Sequence, residues 1–109
     1  GKKTLDAAQL ADLYERAYAA YRRALDLEPE NPQLLNDTAV MLHYYLDRDL
    51  EAALAMYEHA RERAAAELAA PAGKDEKALA SLRTALRDST NNADLVRAIL
   101  AKRQKQPGA

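Results

Sequence analysis

The sequence predicts an all-α fold built from antiparallel helical hairpins, and three observations carry that prediction. Apolar residues recur every three or four positions along most of the chain, which is the period of one helix face. A triplet of small, aromatic and small residues, Ala17, Tyr21 and Ala24, returns 36 residues later as Ala53, Tyr57 and Ala60. Turn-forming residues around Pro29, Asp47 and Pro71 divide the periodic stretches into segments of helix length. Residues three and four apart share a helix face, so each triplet is a small–large–small stripe. Its alanines let a neighbouring helix come close, and its tyrosine fills the space between them.

A first helix is expected over about residues 5–27, with Thr4 as its N-cap and Asp6 in the first turn facing the helix dipole. Leu10, Leu13, Tyr14, Ala17, Tyr21, Ala24 and Leu25 form its apolar stripe, and Pro29 stops it. Asn31-Pro32 restarts the chain. Asn caps free amides, and Pro suits the first helical position because its missing N–H has no partner there. The second helix is expected over about residues 32–46, burying Leu35, Ala39, Leu42 and Leu46. Asp47-Arg48-Asp49 makes the next turn, with Asp49 or Asp47 as the following cap. The third helix, over about residues 50–69, repeats Leu50, Ala53, Leu54, Tyr57, Ala60, Ala64 and Leu68. Met56 stands off that stripe, toward another helix.

Pro71-Ala72-Gly73-Lys74 breaks the chain again. From about residue 75 to residue 104, Leu79, Leu82, Leu86, Ser89, Ala93, Val96 and Leu100 hold one helical register. The polar run Ser89-Thr90-Asn91-Asn92 offers four good caps and so argues for two helices, whereas the unbroken register argues for one. A single continuous or kinked helix is expected, followed by a frayed tail over 105–109.

The chain has 109 residues, enough for a single domain with a modest core. Trp, Phe and Cys are absent, so that core is made of Leu, Ala and Tyr. Without Cys there are no disulfides, thiol nucleophiles or thiolate metal sites. Charged residues are 30% of the chain and balance to a net charge of −1, which argues against nucleic acid as a partner. No apolar run approaches the roughly 18 residues of a membrane span, and no secretory leader is visible. A membrane partner is therefore not expected. The compartment is unspecified, with the expectation leaning to the cytoplasm.

The first triplet and its proline stand in AYAAYRRALDLEPENP. This stretch resembles the second helix of a tetratricopeptide repeat, a family with a period of about 34 residues. After the proline that family starts a new first-type helix. Leu35, Thr38, Ala39 and Leu42 fall at its bulky, apolar, small and bulky positions, without the aromatic types usual at the first and last. The second triplet arrives two residues late, which places a two-residue insertion near Tyr44–Asp47. Ala65 stands where the second copy would have its proline. About one and a half repeats are recognisable over Ala17–Ala60. The resemblance implies a short right-handed array of stacked hairpins, with the last segment as a C-terminal capping helix.

It also implies a non-enzymatic scaffold for protein–protein interaction. In the family, ligands lie in a groove lined by first-type helices. By position this points to Gln33, Asn36, Asp37, Val40, His43 and Tyr44 as partner-binding residues. Asn36, His43 and Tyr44 are types that bind an extended peptide, by hydrogen bonds to its backbone and by stacking. A basic carboxylate clamp is not expected, because this helix has no basic residue before Arg48. A groove needs several first-type helices, and only one is clear. The second expectation is therefore a structural, self-assembling module, with Tyr14, Tyr18 and Tyr21 on a face that pairs with other copies.

An enzyme or a ligand-binding bundle is the third class, and the residues give it little. No catalytic, cofactor-binding or metal site is expected. His43 and His59 fall on different helices, and neither has a second ligand type one turn away. Glu51, Glu58, Glu62 and Glu67 read as a wet helix face, with Glu58–Arg61 and Asp12–Arg16 at ion-pair spacing. Gly1, Gly73 and Gly108 are too far apart for a phosphate loop, and Ser81 and Ser89 lack a nucleophile elbow.

Overall fold

A computed structural model describes residues 4–105. It is all-helical: α1 (Ala7–Leu27), α2 (Pro32–Val40) running straight into a π-helical segment (Met41–Leu46), α3 (Leu50–Ala69) and α4 (Glu76–Lys105). Among the described residues there is no strand. Of the expected frayed tail only Lys105 is described, and it is helical; residues 106–109 lie outside.

Three of the four α-helices start where side-chain acceptors meet free amides. The cap of α1 is Asp6, not Thr4. Its carboxylate accepts the Gln9 amide at 2.8 Å, while the Gln9 side chain accepts the Asp6 amide at 2.9 Å, a reciprocal capping box. Asn31 caps α2 through the Gln33 and Leu34 amides at 3.0 and 3.2 Å, with Pro32 in the first turn. Asp75 takes the Ala78 amide at 2.8 Å at the start of α4. The turn into α3 differs. Asp47 and Asp49 both sit in the left-handed region, at φ 48° and 52°, and Asp49 stands at the cap position without a side-chain cap bond. At Gly73, φ 80° is a conformation that glycine adopts without strain.

The core lies between α2, α3 and α4. Ala39, Leu42, Leu50, Ala53, Tyr57, Ala93 and Val96 form its centre. The second triplet is fully buried, with Ala53, Tyr57 and Ala60 at 0% exposure. Met56 is half-buried between this centre and a smaller cluster of Leu25, Leu35 and Ala60 that ties α1 to α2 and α3. α4 lies against both α3 and α2. It passes unbroken through Ser89-Thr90-Asn91-Asn92: Ser89 is fully buried and donates to the Leu86 carbonyl of its own helix, and Asn92 bonds Asn36 of α2 and Tyr44 of the π segment. These two side chains are thus taken up and do not cap a new helix there. Arg97 on α4 bonds Glu58 on α3 at 2.7 Å, so Glu58 pairs across helices, not with Arg61. Asp12 and Arg16 do pair, at 2.6 Å.

The expected stripe of α1 is mostly uncovered. Of its residues only Leu25 is buried; Leu10 and Leu13 are exposed, and Ala17, Tyr21 and Ala24 are half-buried. The whole molecule is a plate of 49 × 46 × 25 Å with a radius of gyration of 16.3 Å. A compact chain of about 100 residues has a radius near 13 Å. α1 is an outer element laid along the α2 edge.

Candidate functional site

The π segment decides what faces what. An α-helix turns 100° per residue, and a π turn is wider, so each residue advances the face by less. Six residues of π-helix follow Val40. The segment ends at the left-handed Asp47. One consequence is that His43 turns inward. It is 8% exposed, its Nδ1 lies 3.1 Å from the Tyr57 hydroxyl, and its ring meets the Tyr57 ring edge-on at 5.8 Å. Burial holds the imidazole pKa below its usual value, against the opposing field of Asp47. The Tyr57 hydroxyl is pushed far up by the same burial. This is a neutral structural pair inside the hairpin, and His43 does not stand in a groove.

The other consequence is that Tyr44 and Tyr45 emerge on the surface, at 55% and 50% exposure. Tyr45 reaches α1, where its ring lies 5.0 Å from Tyr14. Beside it Arg48 grips Glu15 with both guanidinium arms, one at 2.8 Å, and lies over the Tyr18 ring. That bond holds the Glu15 carboxyl below its ordinary range. α1 is thus fixed to the α2 hairpin near its middle by Tyr14, Glu15 and Tyr18, and at its far end by Leu25 against Leu35.

Between these anchors an open groove runs along the two helices, with a cavity volume of about 410 Å³. Its α1 wall is Leu13, Tyr14, Ala17 and Tyr21; its α2 wall is Asp37, Val40, Met41 and Tyr45. Both walls have helical spacing. Asp37 is the single charged residue in the lining, and among the described residues it has no ion-pair partner. The residue is exposed, but partial desolvation by the groove walls raises its carboxyl pKa; a hydrogen bond with Asn36 opposes the rise, and Asp88 adds to it.

The residues singled out from the sequence therefore divide. Asp37 and Val40 line the groove. Tyr44 is exposed on the side toward α4, where its hydroxyl donates to Asn92 at 3.3 Å. Asn36 is 8% exposed and accepts from the Asn92 amide at 3.3 Å, and Gln33 donates to Ser81 at 2.7 Å. Both are occupied in holding α4. Leu13, Ala17, Tyr21 and Tyr45 enter the groove instead. The first three belong to the apolar stripe of α1, and of them only Tyr21 is also expected on an open face, the one for self-assembly.

Chemically the arrangement offers surface and one carboxylate. Among the described residues no three His, Asp or Glu side chains are placed to hold a metal ion. His59 pairs with Glu30 at 2.5 Å on the exposed side of α3. Among the described residues no helix is long and apolar enough to cross a membrane. Set against known protein families, curated proteins and solved structures, the chain matches none.

Proposed function

We propose that this chain is a non-enzymatic protein–protein interaction module that holds a helix or peptide of a protein partner in the groove between α1 and α2. We read its four helices as a short right-handed array resembling tetratricopeptide repeats: α2 and α3 one hairpin, α1 the second-type helix before it, α4 the cap. Support for the array is the packing of α4 on both α2 and α3, and the burial of Ala53, Tyr57 and Ala60 as a small–large–small stripe. Of the residues read from the sequence, Asp37 and Val40 face the partner, Asn36 and His43 become supports behind them, and Tyr44 stands outside the groove, toward α4.

The observation that carries the reading is the groove itself, whose walls leave Leu13 half exposed and Ala17, Tyr21 and Val40 only partly covered. Uncovered apolar surface of this kind marks interaction sites. A photo-crosslinking residue placed at Val40 tests it, with Ala66 on the exposed face of α3 as control. A discrete protein adduct from position 40 alone supports the module. Equal adducts from both positions, or none from position 40, reject it.

A second reading is self-assembly, favoured by Leu5 just before α1 and by Leu10 and Leu13 on its first half, all exposed. Light scattering across a concentration series decides between them. A dimer that Leu13→Glu splits makes a second copy the partner, and a monomer throughout leaves the groove to another protein.

A further inference from the structure

We propose that the occupant of the α1–α2 groove is an amphipathic helix of a protein partner that carries a Lys or Arg beside its apolar stripe, paired with Asp37. This rests on the reading of the groove as a protein-binding site and specifies what it selects.

Backbone accounting favours a helix over an extended peptide. An extended peptide needs its N–H and C=O groups satisfied, by a strand edge or by side chains. Among the described residues there is no strand, and the groove walls are helices whose backbone groups bond internally. The side chains expected to serve a peptide backbone, Asn36 and His43, are bonded to Asn92 and Tyr57. A helix satisfies its own backbone and needs only shape. The lining supplies that shape: Leu13, Ala17 and Tyr21 on one wall and Asp37, Met41 and Tyr45 on the other each repeat every four residues. Ridges at this spacing accept the ridges of a third helix. Ala17 is the small residue that lets it approach. The α1 wall from Leu13 to Tyr21 spans about 12 Å, a little over two helical turns.

Charge decides the chemistry of the occupant. Asp37 is the one charged residue of the groove lining and has no ion-pair partner among the described residues; it is still exposed, so a helix laid over it would complete its burial. Covering it with an apolar helix would strand an unpaired charge, whereas a cation on that helix completes it.

The test uses labelled, stapled helical peptides of about four turns. They share one Leu/Ala stripe and differ at a single flanking position, which is Lys, Gln or Glu. Fluorescence anisotropy is read against the full chain and against Asp37→Asn. The expected order is Lys tighter than Gln, and Gln tighter than Glu, with roughly tenfold between Lys and Gln at low salt. Asp37→Asn should erase that preference and leave the Gln peptide unchanged. Equal binding of all three peptides overturns the inference while the protein-binding groove stands, provided Ala17→Arg abolishes it. No binding by any peptide, or a self-dimer that Leu13→Glu splits, overturns both the inference and the heterologous groove. Circular dichroism melts show whether each variant is folded.

Discussion

Tyr57→Phe removes one oxygen from the centre of the molecule. Tyr57 is completely buried, and its hydroxyl lies 3.1 Å from Nδ1 of His43, itself 8% exposed. The ring still fills its space, so no cavity opens. What changes is that a buried imidazole nitrogen loses its partner, which costs about 1–3 kcal/mol. For a domain near this size each kcal/mol lowers Tm by roughly 4–8 °C. His43→Leu should also destabilise, by stranding the tyrosine hydroxyl. The double variant should be closer to wild type than the two single losses summed, because a pair replaced by apolar groups leaves nothing stranded. The pH dependence follows from the same burial. The imidazole pKa is depressed in the folded chain, so the unfolded chain takes up the proton first. Its contribution to stability is complete above the unfolded pKa of about 6.5 and is lost as pH falls toward the folded value, by at most ~1.4 kcal/mol per pH unit. Urea denaturation from pH 7.5 to 5 measures this, and His43→Leu should flatten the slope. If Tyr57→Phe melts with wild type and His43→Leu keeps the full slope, the buried pair is not an anchor of this fold.

Three further substitutions test the frame around the groove. Ala60→Leu puts three extra carbons into a fully buried position against Leu25 and Leu35; a loss of about 1–3 kcal/mol in urea melts is expected, and an unchanged midpoint would contradict close helix approach there. Asp47→Gly relieves a left-handed residue at φ 48° and should raise the urea midpoint, by roughly 0.5–1 kcal/mol; a lowered midpoint would mean that the aspartate side chain matters more than its backbone strain. Asn31→Ala frees the Gln33 and Leu34 amides and should cost about 1 kcal/mol, with faster hydrogen exchange at those two amides as the specific signature.

Where the sequence could be read, a local rule coincided with the tertiary environment. Asn31-Pro32 is a restart whichever helix follows, and Ala53, Tyr57 and Ala60 are buried because both of their neighbours, α2 and α4, are present. The stripe of α1 has the same periodicity and is not buried, because periodicity says which residues share a face and not whether another helix covers it. Ser89–Asn92 looked like a cap cluster, and only Asn36, Tyr44 and the Leu86 carbonyl explain why the helix continues. His43 was misplaced for a geometric reason. The resemblance to tetratricopeptide repeats carried it by position into a groove with Val40, and a π turn follows Val40 directly.

The same geometry makes α1 the weakest part of the molecule and ties its stability to the groove. Its attachment is one buried leucine, three half-buried tyrosines and the Arg48–Glu15 pair, which is exposed and so worth little. α2, α3 and α4 instead share a continuous buried centre. Elements with few buried contacts open locally below the global unfolding free energy. Native-state hydrogen exchange should therefore show α1 amides from Leu10 to Tyr21 opening in low denaturant, before those around Ala53–Ala60 and Ala93–Val96. A helix seated in the groove contacts α1 and α2 together, so it must stabilise their docking and raise protection in α1 selectively. If α1 already exchanges only by global unfolding, it is a rigid wall, and an occupant would gain nothing by clamping it. If α1 opens early and a bound helix protects it, then recognition and completion of the fold are one event.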